Sequence, residues 1–160
     1  MVDNWQLRQY NRVIVNTKER NMGTRSRVAV MHGDVCKSVY CHFDGYLQYT
    51  GEILFKHYDS ARANLLVSMG DNSGVKETVE EMNFYKDRGE EDVSWQVAHS
   101  FEEFLEQVEG CGAEYYYVMR DGFWYAGCMY ATEGLTKGRL TRLDEAIADV
   151  LIAQAVAEDE

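Results

Sequence analysis

Two histidine and carboxylate pairs stand close together in YCHFDGYLQYTGEILFKHYDS: His42 with Asp44, and His57 with Asp59. A histidine within reach of a carboxylate can act as a general base with its orienting group. On an extended segment His42 and Asp44 project from the same side, about 7 Å apart between alpha carbons, and Gly45 permits a sharp departure. Tyr46 adds a hydroxyl, and Arg88 in YKDRGEED adds a planar cation suited to bidentate grip on an oxyanion or on Asp44. His42, Asp44, Tyr46, His57 and Arg88 are therefore the ligand-binding candidates, for a nucleotide or another small molecule that the protein would sequester or hydrolyse. No nucleophile accompanies them, since the chain contains no G-x-S-x-G, no G-x-x-x-x-G-K-[ST] and no H-E-x-x-H. No catalytic residue is assigned, and no cofactor is expected.

The same stretch has an architectural reading, which carries more weight. Tyr40, Phe43, Tyr46, Tyr49 and Tyr58 would form the aromatic seam between a sheet and a helix, with Asp44 capping that helix and the imidazoles bonded to buried carbonyls. Arg88 would then only neutralise the acids around it on a loop. Cys36, Cys41 and His42 supply three metal-ligating side chains, but cysteines on an apolar strand are usually small core residues, and no metal is expected.

The elements that must position these residues follow from periodicity. Residues 26–42 read as a hairpin turning at Gly33 and Asp34, with Val28 and Val30 alternating as on a half-buried strand. The period then lengthens, giving a helix from Tyr46 to Tyr58 and a second from Ser60 to Met69, stopped by Gly70. VKETVEEM, residues 75–82, suits one or two solvated helical turns, and Val93, Trp95 and Val97 alternate as a strand. Ser100 and Glu103 match a capping box at the head of FEEFLEQVE. EYYYVMRDGFWYAGCMY is the clearest hairpin, with Asp121 and Gly122 in a tight primed turn. Residues 132–138 read as a connector, and a last helix spans 141–157 with Thr141 as N-cap. The pattern is an α+β fold, an antiparallel sheet with helices packed mainly on one face. Residues 1–21 read as an N-terminal arm or added strand, and residues 22–160 as a single domain.

Composition bounds the function. A chain of 160 residues that is 46% hydrophobic can bury a core without staples, and its net charge of −11 keeps it solvated. Four cysteines without paired spacing indicate neither a disulfide framework nor a zinc ribbon, which fits a reducing compartment. No apolar run is long enough for a membrane span. The acid is regional: residues 71–114 hold thirteen acidic and three basic side chains. Without a basic footprint, direct nucleic-acid binding is not expected. A basic partner surface is the better match, met by Glu77, Glu80, Glu81, Asp87, Glu90, Glu91 and Asp92. Tyr116 and Trp124 of the aromatic hairpin would join them if one sheet face is left uncovered. The competing reading has the C-terminal helix covering that face.

Six blocks carry a resemblance: YCHFDGY with FKHY about ten residues on, the GDNS loop, FYKDRGE, and EYYYV followed after a turn by FWY. Together they cover about residues 24–126, and they resemble a family of small proteins encoded widely by tailed bacteriophages and prophages. Phe43 stands where that family commonly has tryptophan, and Leu54, Phe55 and Lys56 where it has a leucine pair with glutamate. The resemblance implies phage origin and a place in the host cytoplasm; it brings no assigned enzyme activity. The expectation is a small acidic protein that binds and inhibits a host protein, in takeover or counter-defence, with imitation of nucleic acid as one mode. A small-molecule site and a virion or assembly role are the alternatives.

Overall fold

A computed structural model describes residues 24–130, 135 and 137–158. The expected arm or added strand at residues 1–21 lies outside them.

The first hairpin pairs β1 (Ser26–His32) with β2 (Val35–Cys41), and its turn sets His32 opposite Val35 and Ser26 opposite Cys41. The chain then makes a π-helical turn over Leu47–Gly51 and continues as α1 (Glu52–His57). Thus the expected helix from 46 to 58 is wound in two ways along its length. Next comes α2 (Ser60–Met69), with the Asp59 carboxylate accepting the Arg62 N–H at 2.9 Å as N-cap. Of the turns expected in 75–82, one 3₁₀ turn forms at Val79–Glu81. Then follow β3 (Gln96–Ala98), α3 (Phe101–Gly110), β4 (Tyr115–Arg120), β5 (Phe123–Cys128), β6 (Thr141–Arg142) and α4 (Leu143–Glu158). Thr141 belongs to β6 and does not cap α4, which begins two residues later.

The strands form one sheet in the order β3-β2-β1-β4-β5-β6, antiparallel except where β4 runs parallel to β1. The fold is α+β. The parallel pair arises because the chain leaves the sheet through α3 after β3 and re-enters beside β1 from the same end.

Alternation along each strand divides the core into two layers. Val28, Val30, Val39, Tyr117, Met119 and Ala126 point to one face, under Leu54 of α1, Ala63, Leu66 and Val67 of α2, and Leu143, Ala146 and Val150 of α4. Ala29, Met31, Cys36, Tyr116 and Val118 point to the other, under Phe104 and Val108 of α3. Among the described residues, three helices thus cover one face and one covers the other. β1 is therefore buried on both sides, not half-buried, because it is an inner strand with helices above and below.

The aromatic hairpin turns at Asp121 (φ 52°) and Gly122 (φ 84°), the two left-handed residues that a primed turn requires. Its candidates for a partner surface are not on the surface. Tyr116 is fully buried, its ring 5.8 Å from Phe104 and 6.1 Å from Phe101, and its hydroxyl donates to the Arg139 carbonyl at 2.7 Å. Trp124 is 6% exposed and its Nε1–H donates to the Tyr58 carbonyl at 2.8 Å. With both sheet faces covered, both residues serve the core.

At the head of α3 the Ser100 hydroxyl accepts the Glu103 N–H at 3.0 Å, while the Glu103 carboxylate reaches back to the His99 N–H at 3.2 Å. Ser100→Ala is expected to cost about 1 kcal/mol. Chemical denaturation will check it: a lower midpoint with an unchanged slope is the expected result, and an unchanged midpoint would show that the cap contributes nothing.

Candidate functional site

The five ligand-binding candidates are dispersed. His42 follows β2 directly, its N–H donating to the Asn72 carbonyl at 3.1 Å and its ring lying edge-on to Phe43 at 4.3 Å. Its Nδ1 sits 2.5 Å from the Tyr40 hydroxyl. Burial, with a smaller contribution from the nearby Arg25 guanidinium, holds this imidazole below the usual histidine range, so it is neutral at physiological pH.

Asp44 takes a left-handed conformation (φ 57°), and its carbonyl accepts the Thr50 hydroxyl at 2.6 Å. It does not cap the following helix: Tyr46 occupies that position and supplies no side-chain bond. Asp44 instead borders a cavity of about 390 Å³ with Phe43, Tyr49, Ser73 and Lys76. Across it the Lys76 ammonium lies 3.2 Å from the Tyr49 hydroxyl and over its ring. Tyr46 packs near Tyr49, ring centroids 6.1 Å apart.

His57 ends α1 and faces elsewhere, into a cleft of about 660 Å³ at the turn end of the β4–β5 hairpin. Phe55, Lys56, Arg62, Phe123 and Arg142 line it too. Its cations are largely engaged: Arg62 donates to the His57 carbonyl at 2.9 Å, and Arg142 pairs with Asp144 at 2.9 Å while stacking on Phe123. Asp59, the other half of the second pair, is committed to capping α2. The four histidines stand apart, with His32 beside Asn64 and His99 at the head of α3.

Arg88 does not reach Asp44. Its guanidinium grips Glu90 at 2.5 and 2.9 Å and stacks on Tyr85 at 4.3 Å, so it neutralises a neighbouring acid. Both strand cysteines are core residues, with Cys36 and Cys41 pushed up to about 12 by burial, so they stay protonated and are poor nucleophiles. Among the described residues no group of three or more His, Cys, Asp or Glu side chains is placed to hold a metal.

The acidic candidates form the most coherent surface. Glu77, Glu80, Glu81, Asp87, Glu90, Glu91 and Asp92 are all exposed, on the irregular segment between α2 and β3. That segment is pinned from below. Asn72 is fully buried and bridges Cys41 on one side and Phe84 on the other, and Val75, Met82 and Phe84 are driven into the core. Backbone bonds from Ser73 to Asn83 and from Asp71 to Val93 tie its two limbs together. The carboxylates therefore project from an anchored frame.

Several residues of consequence were not among the site candidates: Arg25, Arg27, Asp71 and Tyr85, and Tyr40, expected only in the aromatic seam. A signal for two of the pairings was present. A two-residue turn at Gly33 and Asp34 forces Arg27 opposite Tyr40, and continuing the register past Ser26 and Cys41 sets Arg25 opposite His42. Comparison with known proteins finds no matching family model, no matching curated protein and no matching solved structure.

Proposed function

We propose that this chain is a small acidic phage protein that binds a basic surface of a host protein in the host cytoplasm and inhibits it, without bond-making chemistry. The observation that carries the proposal is the anchored acidic segment: seven exposed carboxylates between residues 77 and 92, against Lys76, Lys86 and Arg88, the last already held by Glu90. Carboxylates held on a fixed frame lose little freedom on binding, and a concentrated field of one sign speeds encounter with an oppositely charged cleft. The dispersal of the imidazoles and the burial of the thiols support a binding role over a hydrolytic one. Among the described residues no helix is long and apolar enough to cross a membrane.

The test is capture from host bacterial lysate on the immobilised chain, at low and at high salt. A specific protein retained at low salt and released at high salt is expected. The triple variant Glu90→Lys, Glu91→Lys, Asp92→Lys should lose at least about tenfold in affinity, because each reversal replaces attraction by repulsion. Binding of equal strength by that variant, or no retained protein at low salt, would overturn the proposal.

A further inference from the structure

Positive charge is concentrated at one place on the sheet face that α3 covers. Continuing the β1–β2 register by one residue sets Arg25 opposite His42, while Arg27 lies opposite Tyr40 and, across β4, beside Tyr116. Alternation puts both arginines on the same face. Arg27 is 2% exposed and its guanidinium donates to the Ser38 hydroxyl at 2.9 Å and the Ser38 carbonyl at 3.0 Å. Neither arginine takes part in an ion pair among the described residues. The Arg25 Nε–H is shielded from solvent and finds no acceptor there. A guanidinium partly withdrawn from water without a paired carboxylate is unfavourable, and an anion meeting its accessible edge would relieve it.

The groups around Arg25 suit such an anion. The Tyr40 hydroxyl is hydrogen-bonded to His42 Nδ1; with the phenol as the donor, the His42 proton sits on Nε2 and is itself a donor. Asp71 holds Tyr85 beside Tyr40: its side chain accepts the Tyr40 N–H at 2.8 Å and its carbonyl accepts the Tyr85 N–H at 3.0 Å. Arg25, Tyr40, His42 and Tyr85 are each partly exposed, so a ligand can reach them. We propose that these four side chains form a binding site for the oxyanion of a phosphate group, with the Arg25 fork as its principal donor. A guanidinium matches two phosphate oxygens at once and the His42 Nε2–H supplies a further donor, while the Tyr40 hydroxyl, engaged with His42 Nδ1, orients the imidazole and Tyr85 borders the site. The net charge of −11 disfavours an extended polyanion, so the ligand is a small phosphate. The competing negative charges are Glu114, which the β1–β4 register sets beside Arg25, Glu90 near Tyr85, and Asp71, whose carboxylate the Tyr40 N–H already engages. The site adjoins the acidic surface through Tyr85, which stacks against Arg88 near Glu90, and it is tested separately through Arg25 and His42.

The experiment titrates the full chain with inorganic phosphate and with a nucleoside monophosphate, at constant ionic strength set by sodium chloride, reading the ring nitrogen resonances of all four histidines. A saturable shift of His42 is expected, with His57 and His99 unmoved. Arg25→Gln should weaken binding at least about tenfold and Arg25→Lys, which keeps the charge but loses the fork, by less. Should Arg25→Gln fail to give a dispersed spectrum, Tyr40→Phe serves in its place and should also weaken binding. Equal affinity for the two phosphates assigns recognition to the oxyanion alone; tighter binding of the nucleotide adds a ring contact to the same site. No saturable shift of His42 with either ligand, or a shift that Arg25→Gln or Tyr40→Phe leaves unaltered, would overturn the proposal.

Discussion

Alanine at position 127 is expected to cost about 3–4 kcal/mol of stability, close to the largest effect a single methyl group produces. Gly127 lies on β5 where the Tyr116 side chain crosses over the strand. A β-carbon built there would run into the Tyr116 ring and hydroxyl and the Arg139 carbonyl that the hydroxyl engages. Neither can retreat: the Tyr116 ring is wedged under Phe101 and Phe104, and its hydroxyl is bonded to that same Arg139 carbonyl. For a domain of this size the loss corresponds to about 10 °C in melting temperature. The pair is coupled, so Tyr116→Ala with Gly127→Ala should be less destabilised than the two single effects added together. Thermal denaturation of the three variants checks both statements. A melting temperature for Gly127→Ala within about 2 °C of the parent would show that β5 shifts freely and that the packing described is wrong.

Trp124→Ala should cost a similar amount, about 3–5 kcal/mol, through the loss of a buried indole and the cavity that remains. It also leaves the Tyr58 carbonyl without the Nε1–H at 2.8 Å that it accepts in the core. That bond joins β5 to the residue just after α1, so its loss loosens the attachment of the short helix to the sheet. The effect separates two roles for Trp124. A core residue lowers the denaturation midpoint, whereas a partner-binding residue would leave stability intact and weaken capture of the host protein. Unchanged stability with lost binding would restore Trp124 to the partner surface.

The acidic segment and the hairpin show how far local signals reach. The turn at Asp121 and Gly122, the Ser100 cap and the Gly70 stop were all legible, because each depends on a few consecutive residues and their own backbone preferences. The exposure of Glu77 through Asp92 followed equally from the cost of burying carboxylates. The ligand set was not legible. Arg88 and Asp44 are 44 positions apart in the chain, and no periodicity constrains whether two loops that far apart converge. The guanidinium that does approach His42 comes from Arg25, through cross-strand register. Its polar neighbours in RSRV looked like a solvent face, and became interior when α3 closed over the other side of the sheet.

From its sequence alone, this protein's class, most of its elements, the Ser100 cap, and the sign and location of its surface charge were determined, since those properties are written in residues within a turn or two of one another. Tertiary structure alone decided that both faces of the aromatic hairpin are buried, that β4 lies parallel to β1, and which cation meets which imidazole. Strand order and the layering of helices are set by contacts between segments tens of residues apart. Alternating hydrophobicity tells which residues share a face, but not what will cover it.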